Sequence, residues 1–160
     1  MSDYLENYIE PYQEGDILEL DELWSFVYAK IHKFWIWIAL CKRTRQIIAY
    51  HIGNRDTDSC REFYSKIPRS YKQSFTFSDY WEAYSTVIQT GKHQSVGKHT
   101  GLTNHVERFN NTLRQHIARL VRKTLSFSKS DFYHECHIRI FIHYYNRYLL
   151  SKSSSLISAN

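Results

Sequence analysis

The sequence predicts a mixed α/β fold in which one sheet is covered by helices. Three strand-like segments follow one another near the N-terminus, helix and strand patterns then alternate, and two long helical patterns come last. The 160 residues are 42% apolar and 16% aromatic, with only 5 Gly and 2 Pro. This composition supplies a core for one domain and excludes a disordered or fibrous chain.

The first strands are predicted to form an antiparallel meander. Residues 16–27 are rich in apolar and aromatic side chains and predict a strand. Residues 34–40 are a near-continuous apolar run, which is typical of a strand buried on both faces. Residues 45–52 predict a third strand, and the short basic connections between the three favour antiparallel pairing.

Helices and further strands follow the meander. Residues 56–67 begin with helix-capping side chains and are stopped by Pro68, which predicts a helix. The other predicted elements are a strand at 74–78, a helix at 80–89, a loop at 91–101 with a short strand near 93–96, and helices at 103–123 and 128–150. The order β-β-β-α-β-α-(β)-α-α is that of the ribonuclease-H-like fold. The predicted organisation is an acidic leader at 1–15, a ribonuclease-H-like domain at 16–150 and a frayed tail at 151–160.

The same sequence excludes several classes of protein. Its longest wholly apolar run has eight residues, whereas a membrane span needs roughly 20. The N-terminus is acidic and lacks the basic and apolar regions of a secretory signal. Three cysteines lie far apart without a CxxC pair, which argues against a disulfide framework and a structural zinc site. We therefore expect a cytoplasmic protein.

The net charge of +5 conceals an asymmetry along the chain. Residues 1–24 carry eight acidic side chains and no Lys or Arg, and the remaining 136 residues carry 21 basic and eight acidic ones. A basic body with 13 Tyr, 9 Phe and 4 Trp indicates an anionic polymer, such as nucleic acid, as the partner. A basic protein without a nucleic-acid role is the alternative, because charge governs association rather than fold.

Two neighbouring acids lie inside the first predicted strand. Side chains alternate across a strand, so Asp21 and Glu22 are expected to point to opposite faces. An acid flanked by apolar side chains is costly to bury without compensation. Compensation would come from a metal ion, from a basic partner or from an edge position open to water. The alternative is that these acids simply lie on a solvated face of the sheet.

Two further acids lie at positions suited to chemistry. Asp79 follows the strand at 74–78, where open α/β sheets bind ligands, although it also suits the N-cap of the next helix. Glu107 leads a polar and basic face of the helix at 103–123, and an ordinary helix pair with Asn111 is the alternative.

Together, Asp21, Asp79 and Glu107 offer the hard oxygen ligands that two Mg²⁺ or Mn²⁺ ions need for in-line attack on a phosphodiester. Their mutual repulsion predicts raised pKa values in the metal-free protein. Polar and basic side chains of the same helical pattern are candidate DNA contacts, with a plain surface role as the alternative for each. These candidates are His105, Asn110, Arg114, Arg119, Arg122 and Lys123.

Four stretches carry a resemblance to a known family, namely DELWSFV, FWIWIALCKRTRQIIAY, FSDYWEAY and HVERFNNTLRQHIARLVRKTLSFSKS. Over most of the chain, the sequence resembles the catalytic region of a bacterial insertion-sequence transposase of the first-numbered family, an InsB-like DDE transposase. The resemblance implies a ribonuclease-H-like fold with Asp21, Asp79 and Glu107 as the first, second and third catalytic acids. It also implies cleavage and strand transfer at insertion-sequence ends with Mg²⁺ or Mn²⁺.

The resemblance also implies partners. These are double-stranded DNA, a second copy of the chain or a larger assembly on DNA, and a separate upstream-frame DNA-binding protein. The last is expected because the family's end-reading zinc-ribbon and helix-turn-helix region has no counterpart in this sequence. A bacterial, nucleoid-associated location follows from DNA as the partner. Two rival functions stay open, a metal-dependent nuclease that hydrolyses without joining and a catalytically silent DNA-binding remnant.

Overall fold

The computed structural model describes residues 3–26, 33–117, 120 and 130–157. From the first strand onwards, the described elements follow the predicted order, and a four-residue helix that was not predicted precedes them. The strands are β1 (Ile17–Phe26), β2 (Lys33–Cys41), β3 (Ile47–Gly53), β4 (Phe75–Ser78) and β5 (His93–Ser95). The helices are α1 (Asp3–Glu6), α2 (Thr57–Ser65), α3 (Glu82–Val87), α4 (Asn104–His116) and α5 (Asp131–Ile157), with 3₁₀ turns at Tyr71–Gln73 and Lys98–Thr100.

The five strands form one mixed sheet in the order β3-β2-β1-β4-β5. β1, β2 and β3 form the predicted antiparallel meander. β4 runs parallel to β1, and β5 runs parallel to β4. Residues 36–41 of β2, which lies between β1 and β3, are all buried. Burial on both faces explains why this strand is an almost unbroken apolar run.

Each face of the sheet packs against its own pair of helices. On one face, the ring of Trp37 lies 5.7 Å from that of Phe63 in α2 and 5.8 Å from that of Tyr84 in α3, between centroids. On the other face, Ile36 and Ile38 belong to a core that α4 and α5 complete. Because consecutive side chains of a strand point to opposite faces, β2 contributes to both cores.

A buried asparagine anchors α5 to the start of β3. The N–H of Ile47 donates to Asn146 Oδ1 at 2.9 Å, and Asn146 Nδ2 donates to the Ile47 carbonyl at 2.8 Å. The helix predicted at 128–150 begins at Asp131 and continues to Ile157, into the segment predicted as a tail. Across the described ranges, no helix combines the length and hydropathy that a bilayer-spanning segment requires.

The acidic leader packs against the turn between β2 and β3. Arg43 in that turn donates from Nε to Asp16 Oδ1 at 2.7 Å and from Nη2 to Asp16 Oδ2 at 2.9 Å. The same guanidinium bonds Glu10 at 3.0 Å, and the Tyr71 hydroxyl donates to the Glu10 carbonyl at 2.7 Å. These bonds tie the end of the leader to the sheet.

Replacing Asp16 with asparagine should destabilise the protein at neutral pH but not in acid. Burial opposes ionisation of Asp16, but the bonds from Arg43 and from the Gln13 N–H outweigh it and lower its pKa below 3.8. A carboxyl whose pKa is lowered by folding contributes stability above its unfolded pKa, and that contribution is lost as pH falls through the folded value. We expect the free energy of unfolding to drop by about 2 kcal/mol at pH 7.

Urea unfolding at a series of pH values measures this effect. The difference between Asp16→Asn and the wild type should shrink as pH falls below the unfolded pKa and vanish below the lower pKa of the folded state. Asp58→Asn is the control, since that side chain is 87% exposed, and it should change little at any pH. A loss for Asp16→Asn that is independent of pH would contradict the ion-pair explanation.

Candidate active site

The candidate site forms where β1 extends past the end of β4. The ladder between these two parallel strands ends with Glu19 opposite Phe77, and β4 itself ends at Ser78. Asp21 and Asp79 each lie two residues beyond that last pair, so the strand register brings them together. Their position is the carboxyl end of parallel strands, the edge at which open α/β sheets bind ligands.

Three carboxylates meet at this edge. Asp21, Glu22 and Asp79 each present one oxygen, and the three oxygens lie within 4.8 Å of one another. Asp21 and Glu22 leave β1 on opposite faces, as predicted, since Asp21 bonds Asn110 of α4 and Glu22 pairs with Arg55 beside α2. Their carboxylates converge because β4, the neighbour of β1 on this side, has already ended. We name this set the carboxylate group.

The carboxylate group fits a divalent cation. The Glu22 side chain is 1% exposed, and its Oε1 has no hydrogen-bond partner among the described residues. A buried carboxylate oxygen without a hydrogen bond needs a cation or a proton to offset its lost hydration. Oxygen ligands of this kind are those that Mg²⁺ and Mn²⁺ prefer. Asp21, Glu22 and Asp79 are therefore the residues suited to hold a metal ion.

The pKa values of this group are raised, mainly by burial. Burial raises the pKa of Asp21 to about 6, and the charges of Asp79 and Glu107 add to the effect. A hydrogen bond of 2.7 Å from Asn110 Nδ2 to Asp21 Oδ2 opposes it. Burial and the Asp79 charge raise the pKa of Glu22 to about 8. Repulsion between acids, the expected cause, is thus present but secondary for both residues.

Asp79 is oriented by a backbone N–H and does not cap a helix. α3 begins at Glu82, and Trp81, which occupies its N-cap position, makes no capping bond through its side chain. The N–H of Trp81 donates to Asp79 Oδ1 at 3.0 Å. Asp79 Oδ2 lies 3.9 Å from the Arg55 guanidinium. The helix-capping alternative was therefore wrong, because the helix starts two residues too late for it.

Glu107 lies near the carboxylate group without belonging to it. It stands three residues before Asn110 on α4, so both lie on the helix face that meets Asp21. Its carboxylate accepts a hydrogen bond of 3.0 Å from Thr103 Oγ1, one turn earlier, rather than from Asn111. Its charge contributes to the raised pKa of Asp21. The third predicted acid therefore lies close to the carboxylate group, but its own carboxylate is hydrogen-bonded to Thr103.

A further carboxylate, absent from the sequence predictions, holds α4 against β1. Glu19 is fully buried, and its Oε2 accepts from the backbone N–H groups of His105 and Val106 at 2.8 and 3.0 Å. Its Oε1 lies 2.5 Å from His105 Nδ1. Burial raises the pKa of Glu19, and the Val106 N–H acts against this. The signal in the sequence was the alternation of Glu19, Asp21 and Leu23 on one strand face.

Three of the predicted DNA contacts lie within the described part of α4. His105 is paired with Glu19, and its side chain is 21% exposed. Asn110 is buried against Asp21. Arg114 lies one turn further along the same helix face. Their contact with DNA stays a prediction.

The other predicted DNA contacts fall beyond the end of α4. The helix ends at His116, earlier than the predicted end at residue 123. Arg119, Arg122 and Lys123 lie outside the described residues. Their role as DNA contacts also stays a prediction.

The part of the chain that builds the site matches a known family. A family model described as IS1 transposase matches residues 17–148, from the start of β1 into α5. The chain belongs to the IS1 transposase family. The resemblance found in the sequence is therefore confirmed. An IS1 transposase acts on DNA, which agrees with the basic body of the sequence.

Individual relatives are InsB proteins. The insertion element iso-IS1n protein InsB of Shigella dysenteriae is 40% identical over 126 residues, which cover 79% of this chain and 93% of that protein. The IS1 protein InsB of Shigella flexneri is 34% identical over 128 residues, which cover 80% of this chain and 92% of that protein. The IS1 4 protein InsB of Escherichia coli (strain K12) is 34% identical over 128 residues, which cover 80% of this chain and 72% of that protein.

The fold has a counterpart among solved structures. A chain in the cryoEM structure of the simian T-cell lymphotropic virus intasome, in complex with PP2A regulatory subunit B56 gamma, matches with a TM-score of 0.53. The match covers 84% of this IS1-family chain and 49% of that chain, at 10% identity. At this identity the likeness concerns the fold alone. Together with the strand order, it confirms the predicted ribonuclease-H-like fold.

Proposed function

We propose that this chain is the catalytic domain of a DDE transposase that cleaves DNA at insertion-sequence ends and joins the freed 3′-hydroxyls to target DNA. One observation carries the proposal. The oxygens of Asp21, Glu22 and Asp79 lie within 4.8 Å of one another, at the carboxyl end of parallel strands, in a chain of a transposase family. That arrangement suits divalent cations and the phosphate chemistry they support.

The acids would hold two Mg²⁺ or Mn²⁺ ions, and such ions would supply activation of the attacking hydroxyl and stabilisation of the leaving oxygen. Asp21 and Asp79 serve as ligands. Asn110 keeps the Asp21 carboxylate oriented through its 2.7 Å hydrogen bond. The buried oxygen of Glu22 adds a ligand that the three-acid pattern does not include.

Glu107 is the third acid of the proposed site. Its place on α4, three residues before Asn110, keeps it near Asp21. To serve as a ligand, its carboxylate would have to give up the hydrogen bond from Thr103 Oγ1.

The proposed DNA surface includes α4 and basic residues that follow it in the sequence. Arg114 of α4, together with Arg119, Arg122 and Lys123, is proposed to supply positive charge for DNA phosphates, and the affinity this provides falls as salt rises. Because transposition pairs two DNA ends, we propose a homodimer or a larger assembly on DNA. An upstream-frame DNA-binding protein is the proposed partner that reads the end sequence.

A strand-joining assay tests the proposal. Labelled, pre-cleaved ends of the parent element are incubated with supercoiled target DNA, the protein and Mg²⁺ or Mn²⁺. The wild type is compared with Asp79→Asn and with Asp58→Asn, whose carboxylate on α2 is 87% exposed. We expect joined product from the wild type and from Asp58→Asn, and none from Asp79→Asn.

The other outcomes separate the rival functions. Cleavage without joining would identify a hydrolytic nuclease. DNA binding without chemistry, both alone and after addition of the upstream-frame protein, would identify a binding remnant. Chemistry that survives Asp79→Asn would contradict the proposed site itself.

A further inference from the structure

Arg55 lies in the loop between β3 and α2, where two tryptophans hold its guanidinium. The guanidinium carbon is 4.8 Å from the ring centroid of Trp35 and 4.7 Å from that of Trp81. Trp81 is itself packed on Trp37, with centroids 4.9 Å apart. Aromatic faces on both sides attract the cation and restrict its movement. Contact with the two rings therefore helps to hold the guanidinium in place.

The same guanidinium lies next to the carboxylate group, but at distances longer than those of a close salt bridge. Its Nε is 3.6 Å from Glu22 Oε1, and its Nη2 is 3.9 Å from Asp79 Oδ2. Both distances exceed those of a hydrogen bond. Arg43, by contrast, bonds Asp16 through two atoms at 2.7 and 2.9 Å. Arg55 therefore forms long ion pairs with the two acids rather than the close, hydrogen-bonded pair that Arg43 forms with Asp16.

We propose that Arg55 binds a DNA phosphate next to the carboxylate group once a divalent cation occupies that group. This rests on the proposed function, since it assigns Arg55 to the same site. A guanidinium presents parallel N–H donors that match two phosphate oxygens, and the stacked position leaves them oriented. The Arg55 side chain is 37% exposed, so DNA can reach it.

The contribution of Arg55 to DNA binding depends on the metal ion. In the metal-free protein, its positive charge is attracted to Glu22 and Asp79, at 3.6 and 3.9 Å. A cation on those carboxylates supplies their counter-charge instead and leaves the guanidinium to the DNA. A basic side chain elsewhere on the surface would strengthen DNA binding equally with and without the metal ion.

Equilibrium DNA binding tests this dependence without any chemistry. The full chain is titrated with a fluorescent duplex of the parent element's end, in Ca²⁺ and in EDTA, over a series of salt concentrations. Arg55→Gln removes the charge, and Arg55→Lys keeps the charge but loses the planar fork and its stacking on the tryptophans. Arg61→Gln is the matched control, because that guanidinium is 61% exposed and pairs with Asp58 on α2.

In Ca²⁺, we expect Arg55→Gln to weaken binding about tenfold. The slope of log K against log salt should become shallower by about one. In EDTA the same variant should bind nearly as well as the wild type. Arg55→Lys should retain the slope and lose part of the affinity. Arg61→Gln should behave the same in both conditions.

Two results would overturn the proposal. Equal losses for Arg55→Gln with and without Ca²⁺ would make Arg55 an ordinary surface charge. No loss in either condition would make it only a counter-ion for Glu22 and Asp79. Near-ultraviolet circular dichroism of the Trp signal checks that both variants remain folded. If Arg55→Gln does not fold, Arg55→Lys still tests the guanidinium fork, since its loss of affinity should appear in Ca²⁺ and not in EDTA.

Failure of this proposal is distinguishable from failure of the proposed function. If the wild type joins strands but Arg55→Gln binds DNA normally, only the Arg55 proposal fails. If Ca²⁺-dependent binding through Arg55 is found in a protein that joins no strands, only the transposase proposal fails.

Discussion

Replacing Asp21 with asparagine is expected to abolish strand transfer and metal-induced stabilisation while leaving the metal-free protein as stable as the wild type. Asp21 is the member of the carboxylate group that α4 contacts directly, through Asn110. Removing one member of a catalytic group that acts as a unit costs roughly 10⁴-fold or more in rate. We therefore expect joined product to fall below detection.

The metal-free stability of this variant follows from what Asp21 costs the fold. Burial raises its pKa to about 6, and nearby negative charge adds to that. An asparagine amide has no charge to bury, and its oxygen still accepts from Asn110 Nδ2. Its NH₂ group is also suited to Asn110 Oδ1, which has no hydrogen-bond partner among the described residues. The variant should thus unfold at the same temperature as the wild type, or higher.

Thermal unfolding with and without Mn²⁺ measures the metal-dependent part. At a free cation concentration of about 100 times the Kd, binding stabilises the native wild type by about 2.7 kcal/mol. For a chain of this size, that corresponds to a rise in Tm of about 5–10 °C. Asp21→Asn should lose this rise, and Asp58→Asn should keep it. A variant that keeps the rise, or that unfolds earlier without metal, would refute this account of Asp21.

The sheet and the helix that follows it were predictable from the sequence because their signals are local. An apolar run predicts β2, and Pro68 predicts the end of α2, each from residues close together in the chain. The end of α5 was not predictable in this way, since its last residues are mostly serines. Ser154 and Ser155 donate from Oγ to the carbonyls of Leu150 and Ser151, so these hydroxyls are satisfied within the helix, although such bonds do not themselves favour it.

The site was predictable where an acid follows a strand end, and unpredictable where it depends on tertiary contacts. Asp79 was found because it directly follows β4. Glu22 was not among the predicted metal ligands. Alternation places it on the opposite face from Asp21, and the two carboxylates approach each other only because β1 extends beyond the end of β4. Arg55 gives no local signal, because the tryptophans that hold it, Trp35 and Trp81, come from distant parts of the chain.

Replacing Glu19 with alanine is expected to destabilise the protein more than any other single change to a carboxylate. Glu19 accepts two backbone N–H groups at the start of α4 and contacts the His105 ring. Truncation leaves these donors buried without a partner and removes a negative charge from the positive end of the helix dipole. We expect the free energy of unfolding to fall by about 3–5 kcal/mol.

Urea unfolding measures this loss, and a second variant separates its causes. Glu19→Gln keeps an oxygen for the two N–H groups and places an amide NH₂ against His105, so it should lose less than Glu19→Ala. Glu62→Ala is the control, because that side chain is 70% exposed and should change stability by less than about 0.5 kcal/mol. A loss for Glu19→Ala no larger than that of the control would show that other contacts suffice to hold α4.

The loss of the Glu19 side chain should reduce strand transfer as well as stability. α4 carries both Asn110 and Glu107, so a loosened N-terminus changes how these side chains approach Asp21. At a temperature where Glu19→Ala remains folded, we expect strand transfer to fall while DNA binding persists. Hydrogen exchange should then be faster in α4 than in α5, whose anchor at Asn146 is untouched. Equal exchange in both helices would mean that Glu19 stabilises the whole fold rather than the position of α4.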